Sequence, residues 1–290
     1  MEIPKGFDSL VKIAMKERPE RPKTAGDIWD KFLNIVFLGG NRSDAEVKFL
    51  INMLKQKKVL GLDHVKETDG EDWRDEVTRI IDERSARIKD EEIKDMLAAV
   101  KKEIFILSAS IKGGARFFKK NDISPDALAD MLSTKEKAWK FIEDLANDQD
   151  VTNIKYTKII LWLHSIGFAQ DFCPPTRQTK SFINDVFGYY QFYEDDKYFM
   201  KKAEEFSADV GKRVKGCTAR DVATAIFFYV TLKNMMPQRS YEKKHFTPDT
   251  AVKFLRSKKL TLARLSERLS DFEDRLELID DINKFVRKIK

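Results

Sequence analysis

Residues 153–185, NIKYTKIILWLHSIGFAQDFCPPTRQTKSFIND, join an apolar helix to a polar one through a double-proline corner. Lys155, Lys158, Ile159, Ile160, Trp162, Leu163 and Ile166 recur at helical spacing, with Asn153 placed to cap the start and Gly167 to end the run. Pro174 and Pro175 then fix an extended corner, after which Thr176 caps a second helix. Its first turn carries Arg177, Gln178 and Lys180, donors at the positive end of a helix dipole, where a phosphate is favoured. Ordinary solvation of an exposed first turn is the plainer alternative.

Outward from this stretch, apolar residues keep the three-and-four spacing and strict alternation is almost absent, so the chain reads as all-α. Residues 27–37 end at Gly39-Gly40, and a further helix follows with Ser43 as N-cap and Glu46 closing a capping box. More helices are expected at 71–88, 90–110, 125–132, 135–146, 154–168, 177–187, 195–214 and 219–234. Residues 236–247, punctuated by Pro237 and Pro248, read as a linker. Beyond it Leu262, Leu265, Leu269, Phe272, Leu276, Ile279, Ile282 and Val286 form an amphipathic stripe expected to dock on the body. The expected division is therefore a body over 1–236, in one or two helical lobes, and C-terminal helices over 237–290.

Hydrophobic residues are 42% of the 290, enough for a sizeable core. The net charge of +6 favours polyanionic partners if the excess is clustered. Charged residues at 35% with few Gly and Pro suit the ion-paired helices of a heat-adapted source. Cys173 and Cys217 are too few for a disulfide framework, and His64, His164 and His245 lack metal-ligand spacing, so no metal or other cofactor is expected. MEIPKGFDSL has no apolar core of a signal peptide, and no apolar run nears the roughly 20 residues of a membrane span. The expectation is a cytoplasmic monomer with no membrane partner.

Three segments occur in an order that resembles the helix-hairpin-helix DNA glycosylase and AP lyase superfamily across residues 27–234. They are IWDKFLNIVFLGGNRSDAEVKFLINML, VTNIKYTKIILWLHSIGFAQDFCPPTRQTKSFINDVFG and FSADVGKRVKGCTARDVATAIFFYV. The family's glycine-rich hairpin corresponds to Val151-Thr152-Asn153-Ile154-Lys155, with both glycines replaced. Its lyase lysine aligns with Thr157, between Lys155 and Lys158, and its catalytic aspartate aligns with Thr176. The resemblance implies a DNA partner, duplex with an abasic or damaged site.

Without that aspartate, base removal lacks the carboxylate that steadies a developing sugar cation. Strand cleavage at an existing abasic site needs only a neutral amine, which makes Lys158 the first candidate nucleophile and Lys155 its electrostatic partner. Asp171 and His164 are candidates for proton transfer, each with a bland alternative as an exposed loop charge and a core histidine. Lys112 and Arg116, with Lys119 and Lys120, flank Gly113-Gly114 in what reads as a glycine-opened basic bend suited to a phosphate. Asn41 and Arg42 occupy the early turn and could fill the space left by a displaced nucleotide. Tyr189, Tyr190, Phe192, Tyr193, Tyr198 and Phe199 suit base stacking or, more simply, core packing. The expected activity is an AP lyase acting through a lysine Schiff base, with or without glycosylase activity. The alternatives are a noncatalytic DNA- or RNA-binding helical protein and an interaction protein using its terminal amphipathic helix.

Overall fold

In the computed structural model the described residues are 3–38, 44–188, 195–270 and 272–289, and the side chains of Asp44, Ser270, Phe272 and Glu273 lie outside the description. Sixteen helices, and no strand, occur among the described residues. In chain order they are α1 (Phe7–Met15), α2 (Ala25–Phe37), α3 (Asp44–Gln56), α4 (Leu62–Glu67), α5 (Gly70–Ser85), α6 (Glu91–Lys120), α7 (Pro125–Met131) and α8 (Lys135–Asn147). There follow α9 (Tyr156–Ser165), α10 (Arg177–Phe187), α11 (Asp196–Arg213), α12 (Ala219–Met235), α13 (Tyr241–His245), α14 (Pro248–Ser257), α15 (Leu262–Ser270) and α16 (Phe272–Lys288). The protein is all-α, as its periodicity requires.

Short polar side chains set many of the helix starts. Thr24 and Asp27 close a capping box at α2, with Asp27 N donating to Thr24 Oγ1 at 3.1 Å and Thr24 N to Asp27 Oδ2 at 3.0 Å. Ser124, Thr134 and Thr176 cap α7, α8 and α10 in the same way from one side. The cap expected at Ser43 lies outside the described residues.

The chain leaves one compact unit after Glu20 and returns to it at Ala169: Arg21–Phe168 forms a central unit, and Met1–Glu20 with Ala169–Lys290 forms a terminal unit. The helices after residue 236 thus share a unit with α1 and α10–α12, and no boundary falls at 236/237. Residues 236–247, expected as a linker, contain α13, whose Glu242 is buried and accepts from Arg287 Nε at 2.6 Å. The C-terminal stripe is two helices, α15 and α16, in which Leu276, expected on the apolar face, is half exposed to solvent, while Leu278, not expected there, is buried.

In the central unit an aromatic cluster forms the core. Trp29 stacks on Phe32 at 5.4 Å, Phe32 tilts on Phe118 at 5.2 Å, and Phe118 meets Trp162 at 5.5 Å. The indole N–H groups are satisfied: Trp29 donates to Leu60 O and Trp73 to Val59 O, both at 2.8 Å, and Trp162 to Ile28 O at 3.3 Å. In the terminal unit α1 buries Phe7, Leu10, Val11 and Ala14 on one face, and Phe7 stacks on Phe182 at 5.1 Å. Each such large side chain contributes about 1.5–3 kcal/mol on burial. Gly6, at φ 86°, sits against the backbone of Asp249, where a Cβ would lie 2.5 Å from its nitrogen.

α6 corrects the reading of Gly113-Gly114. Residues 111–116 do not bend; the helix runs unbroken for 30 residues. A Cβ on Gly113 would lie 2.6 Å from the Asp150 carbonyl carbon and 2.9 Å from Val151 Cα, and one on Gly114 would lie 2.5 Å from Phe32 Cζ. The glycines are close-approach positions, one for backbone and one for a ring, and they cost about 1 kcal/mol each in helix propensity.

Candidate nucleic-acid interface

α8 and α9 pack on each other and are joined by residues 148–155, a helix–turn–helix hairpin within the central unit. Val151 and Ile154 are buried and anchor the turn, while Thr152 and Asn153 are exposed at its tip. Asn153 has φ 59°, the left-handed region that asparagine tolerates better than most residues. Lys155 is the N-cap of α9 with extended backbone, which any residue adopts. Asn153 is therefore the turn residue and not the helix cap expected for it. Lys155 supplies no side-chain cap to α9.

Three positions of α6 hold the turn. Gly113 admits the backbone of Asp150 and Val151, Ser110 Oγ donates to Thr152 O at 2.8 Å, and Arg116 pairs with Asp150 at 3.0 Å. The last pair is mostly exposed and contributes about 0–1 kcal/mol. Across the hairpin Trp139 of α8 stacks on Tyr156 of α9 at 5.6 Å with planes 7° apart. Sequence reasoning singled out neither that pair nor Ser110; a small residue one turn before a glycine on one helix face was the available signal.

Past Arg116, Lys119 lies one turn along the same face of α6. The Lys66 side chain of α4 lies against it, and this second cation holds the Lys119 ammonium below its usual range. Arg116 is already paired with Asp150, which leaves Lys119 and Lys66 as the like-charged pair on this side of the hairpin.

The structure separates the other nominated residues. Lys158 sits half-buried in the first turn of α9, and Lys155 Nζ donates to Ala146 O in the last turn of α8 at 2.7 Å. Lys155 is thus a structural link between the two helices. His164 is 7% exposed in the last turn of α9, a core position that does not suit it to proton transfer with a substrate. Asp171 is exposed and belongs to the terminal unit, whereas the two lysines belong to the central one.

Lys112 is not a phosphate donor. Its side chain is buried, and Nζ donates to Val65 O at 2.8 Å and to Thr68 O, capping the C-terminus of α4. Burial pushes its ammonium below the usual range, Asp69 opposes the shift and Arg116 adds to it. Lys180 is also withdrawn: it is 8% exposed and its Nζ meets Asp196 Oδ1 at 2.6 Å. Thr176 caps α10 through Thr179 N at 3.2 Å, and Arg177 and Gln178 remain in that first turn, Arg177 exposed. Asn41, Arg42, Tyr189, Tyr190, Phe192 and Tyr193 lie outside the described residues. Tyr198 is exposed, and Phe199 is core.

Comparison of the chain with family models, curated proteins and solved structures finds no match. No helix among the described residues is long and apolar enough to cross a membrane.

Proposed function

We propose that the protein binds DNA at abasic or damaged sites and cleaves the strand as an AP lyase. The observation that carries this reading is the α8–α9 hairpin, whose left-handed Asn153 turn is pinned on α6 beside Arg116, Lys119 and Lys66. Exposed backbone at a tight turn followed by a helix N-terminus is suited to a phosphodiester, and the cations beside it add salt-sensitive affinity. Lys158, in the first turn after that hairpin, is the nucleophile of the proposal. Its neutral amine would add to the C1′ aldehyde of the open sugar and expel water, giving a Schiff base. Loss of a C2′ proton then breaks the bond to the 3′ oxygen, and the phosphate leaves with the electron pair.

A noncatalytic DNA-binding role is the second reading, and Thr176 favours it. That position keeps the cap of α10 while lacking the carboxylate that base excision would require.

The test is a duplex bearing one abasic site, incubated without metal and with or without borohydride, for the parent, Lys158→Ala and Lys155→Ala. A trapped adduct lost only in Lys158→Ala supports the lyase. Absence of any adduct, with salt-dependent binding retained, replaces it by the binding-only reading. No DNA binding at all removes both.

A further inference from the structure

In the terminal unit a groove of about 870 Å³ runs between α1 and the connection from α14 to α15. Ile13, Leu255 and Leu260 supply its apolar floor, with Ile13 and Leu260 partly open to solvent. Six charged side chains of the lining decide its chemistry. Glu17 is consumed within the fold: it accepts from Leu262 N at 2.6 Å and Ala263 N at 2.8 Å, capping the start of α15. Arg18 is consumed as well, by both oxygens of the buried Asp221 and by Gly216 O. Lys12, Lys16, Arg256 and Lys259 remain; all four are exposed, and their side chains make no hydrogen bond or ion pair among the described residues.

The lining therefore presents four cations without a protein partner among the described residues around one groove. A ligand bearing several negative charges can meet more than one of them at once. A phosphodiester backbone would satisfy the rim and leave the aliphatic floor in water. An acidic segment with apolar residues on one face satisfies both, because carboxylates can reach the rim while a Leu or Phe fills the floor.

We propose that this groove is a docking site for an acidic amphipathic helix of a partner protein. The site is independent of the hairpin: it lies on the terminal unit and uses none of the residues assigned to DNA.

The experiment uses the full chain and a labelled peptide of about 14 residues, roughly four helical turns, with Leu on one face and Glu on its flanks. Fluorescence anisotropy is measured for the parent and for the variant Lys12→Gln/Lys16→Gln/Arg256→Gln/Lys259→Gln. These positions are exposed, and circular dichroism verifies that the variant folds. Binding to the parent should weaken on the order of 30-fold in the variant, from four rim contacts of the strength of exposed ion pairs. A peptide with every Leu changed to Ser should bind at least about tenfold more weakly than the Leu peptide. Binding that is unchanged in the variant, or equal for the Leu and Ser peptides, overturns the proposal. So does displacement of the peptide by duplex DNA with the same dependence on the four cations, which would make the groove a nucleic-acid surface. Because the abasic-duplex assay of the same variant reads the hairpin, the two proposals fail separately.

Discussion

Replacing Gly113 by alanine tests whether the hairpin is held where the structure places it. Alanine is the better helix former by about 1 kcal/mol, so an α6 whose glycine faced open space would be stabilised. Here the added Cβ would lie 2.6 Å from the Asp150 carbonyl carbon, and ordinary contact begins near 3.4 Å. The Asp150 carbonyl oxygen would lie closer still, so the hairpin must move by more than about 0.8 Å relative to α6. Its obstacle is backbone, which cannot rotate away as a side-chain tip can. Overpacking of this kind costs about 1–3 kcal/mol, which outweighs the propensity gain over most of that range. Gly211, within α11, has nothing within 4 Å of its Cβ position, so Gly211→Ala should stabilise by about 0.5–1 kcal/mol. The assay is urea unfolding of both variants, followed by duplex binding of Gly113→Ala under conditions where it is fully folded. Lower stability and weaker binding for Gly113→Ala, with Gly211→Ala stabilised, is the expected pattern. A Gly113→Ala protein as stable as Gly211→Ala would refute the packing of the turn on α6.

Asn153→Gly should preserve both stability and DNA binding, whereas Asn153→Val should lose about 1–2 kcal/mol because a β-branched residue is disfavoured at φ 59°; thermal melts of the pair decide this. Lys112→Met should lower stability by about 1–2 kcal/mol through the two carbonyls it leaves without a donor, and leave duplex affinity unchanged; a loss of affinity in the folded variant would return Lys112 to the interface. Asp221→Asn should cost about 3 kcal/mol, at the low end for a broken buried pair because Arg18 stays one-third exposed; chemical denaturation at neutral pH measures it. Burial alone would raise the Asp221 carboxyl, but hydrogen bonds from Arg18 and Thr218 and the Arg18 charge bring it below the usual carboxylate range. Its contribution is therefore complete above the unfolded value near pH 4 and is lost as pH falls through the lower folded value, so Asp221→Asn should show a flatter acid limb than the parent.

The helical class was legible because it depends on spacing within a single helix. α10 falls at residues 177–187 as its pattern requires, and Thr176 caps it, since both features depend on neighbours a few residues away. α1 and α4 escaped notice: α4 spans only six residues, and α1 follows a left-handed Gly6 that offers no polar cap. Gly113-Gly114 was misread for a different reason. A glycine pair in a helical run can mark a bend or a close approach, and only the second depends on Asp150 and Phe32, 37 and 82 positions away.

The same distinction governs the lysines. Sequence shows which residues carry a charge, but whether that charge faces solvent depends on partners supplied by other helices. Lys112 finds its acceptors on α4 and Lys180 finds Asp196 on α11, so two cations nominated for DNA belong to the fold. Lys12, Lys16, Arg256 and Lys259 attracted no attention, because their two pairs lie more than 200 positions apart and neither pair forms a motif. They become a site only when α1 packs against α14 and the acid among them, Glu17, turns away to cap α15. An uncompensated charge is thus a property of the packed chain. It follows that exchanging Glu17 for Gln should weaken α15, measured as lower stability in urea unfolding, while the four cations of the groove keep their places.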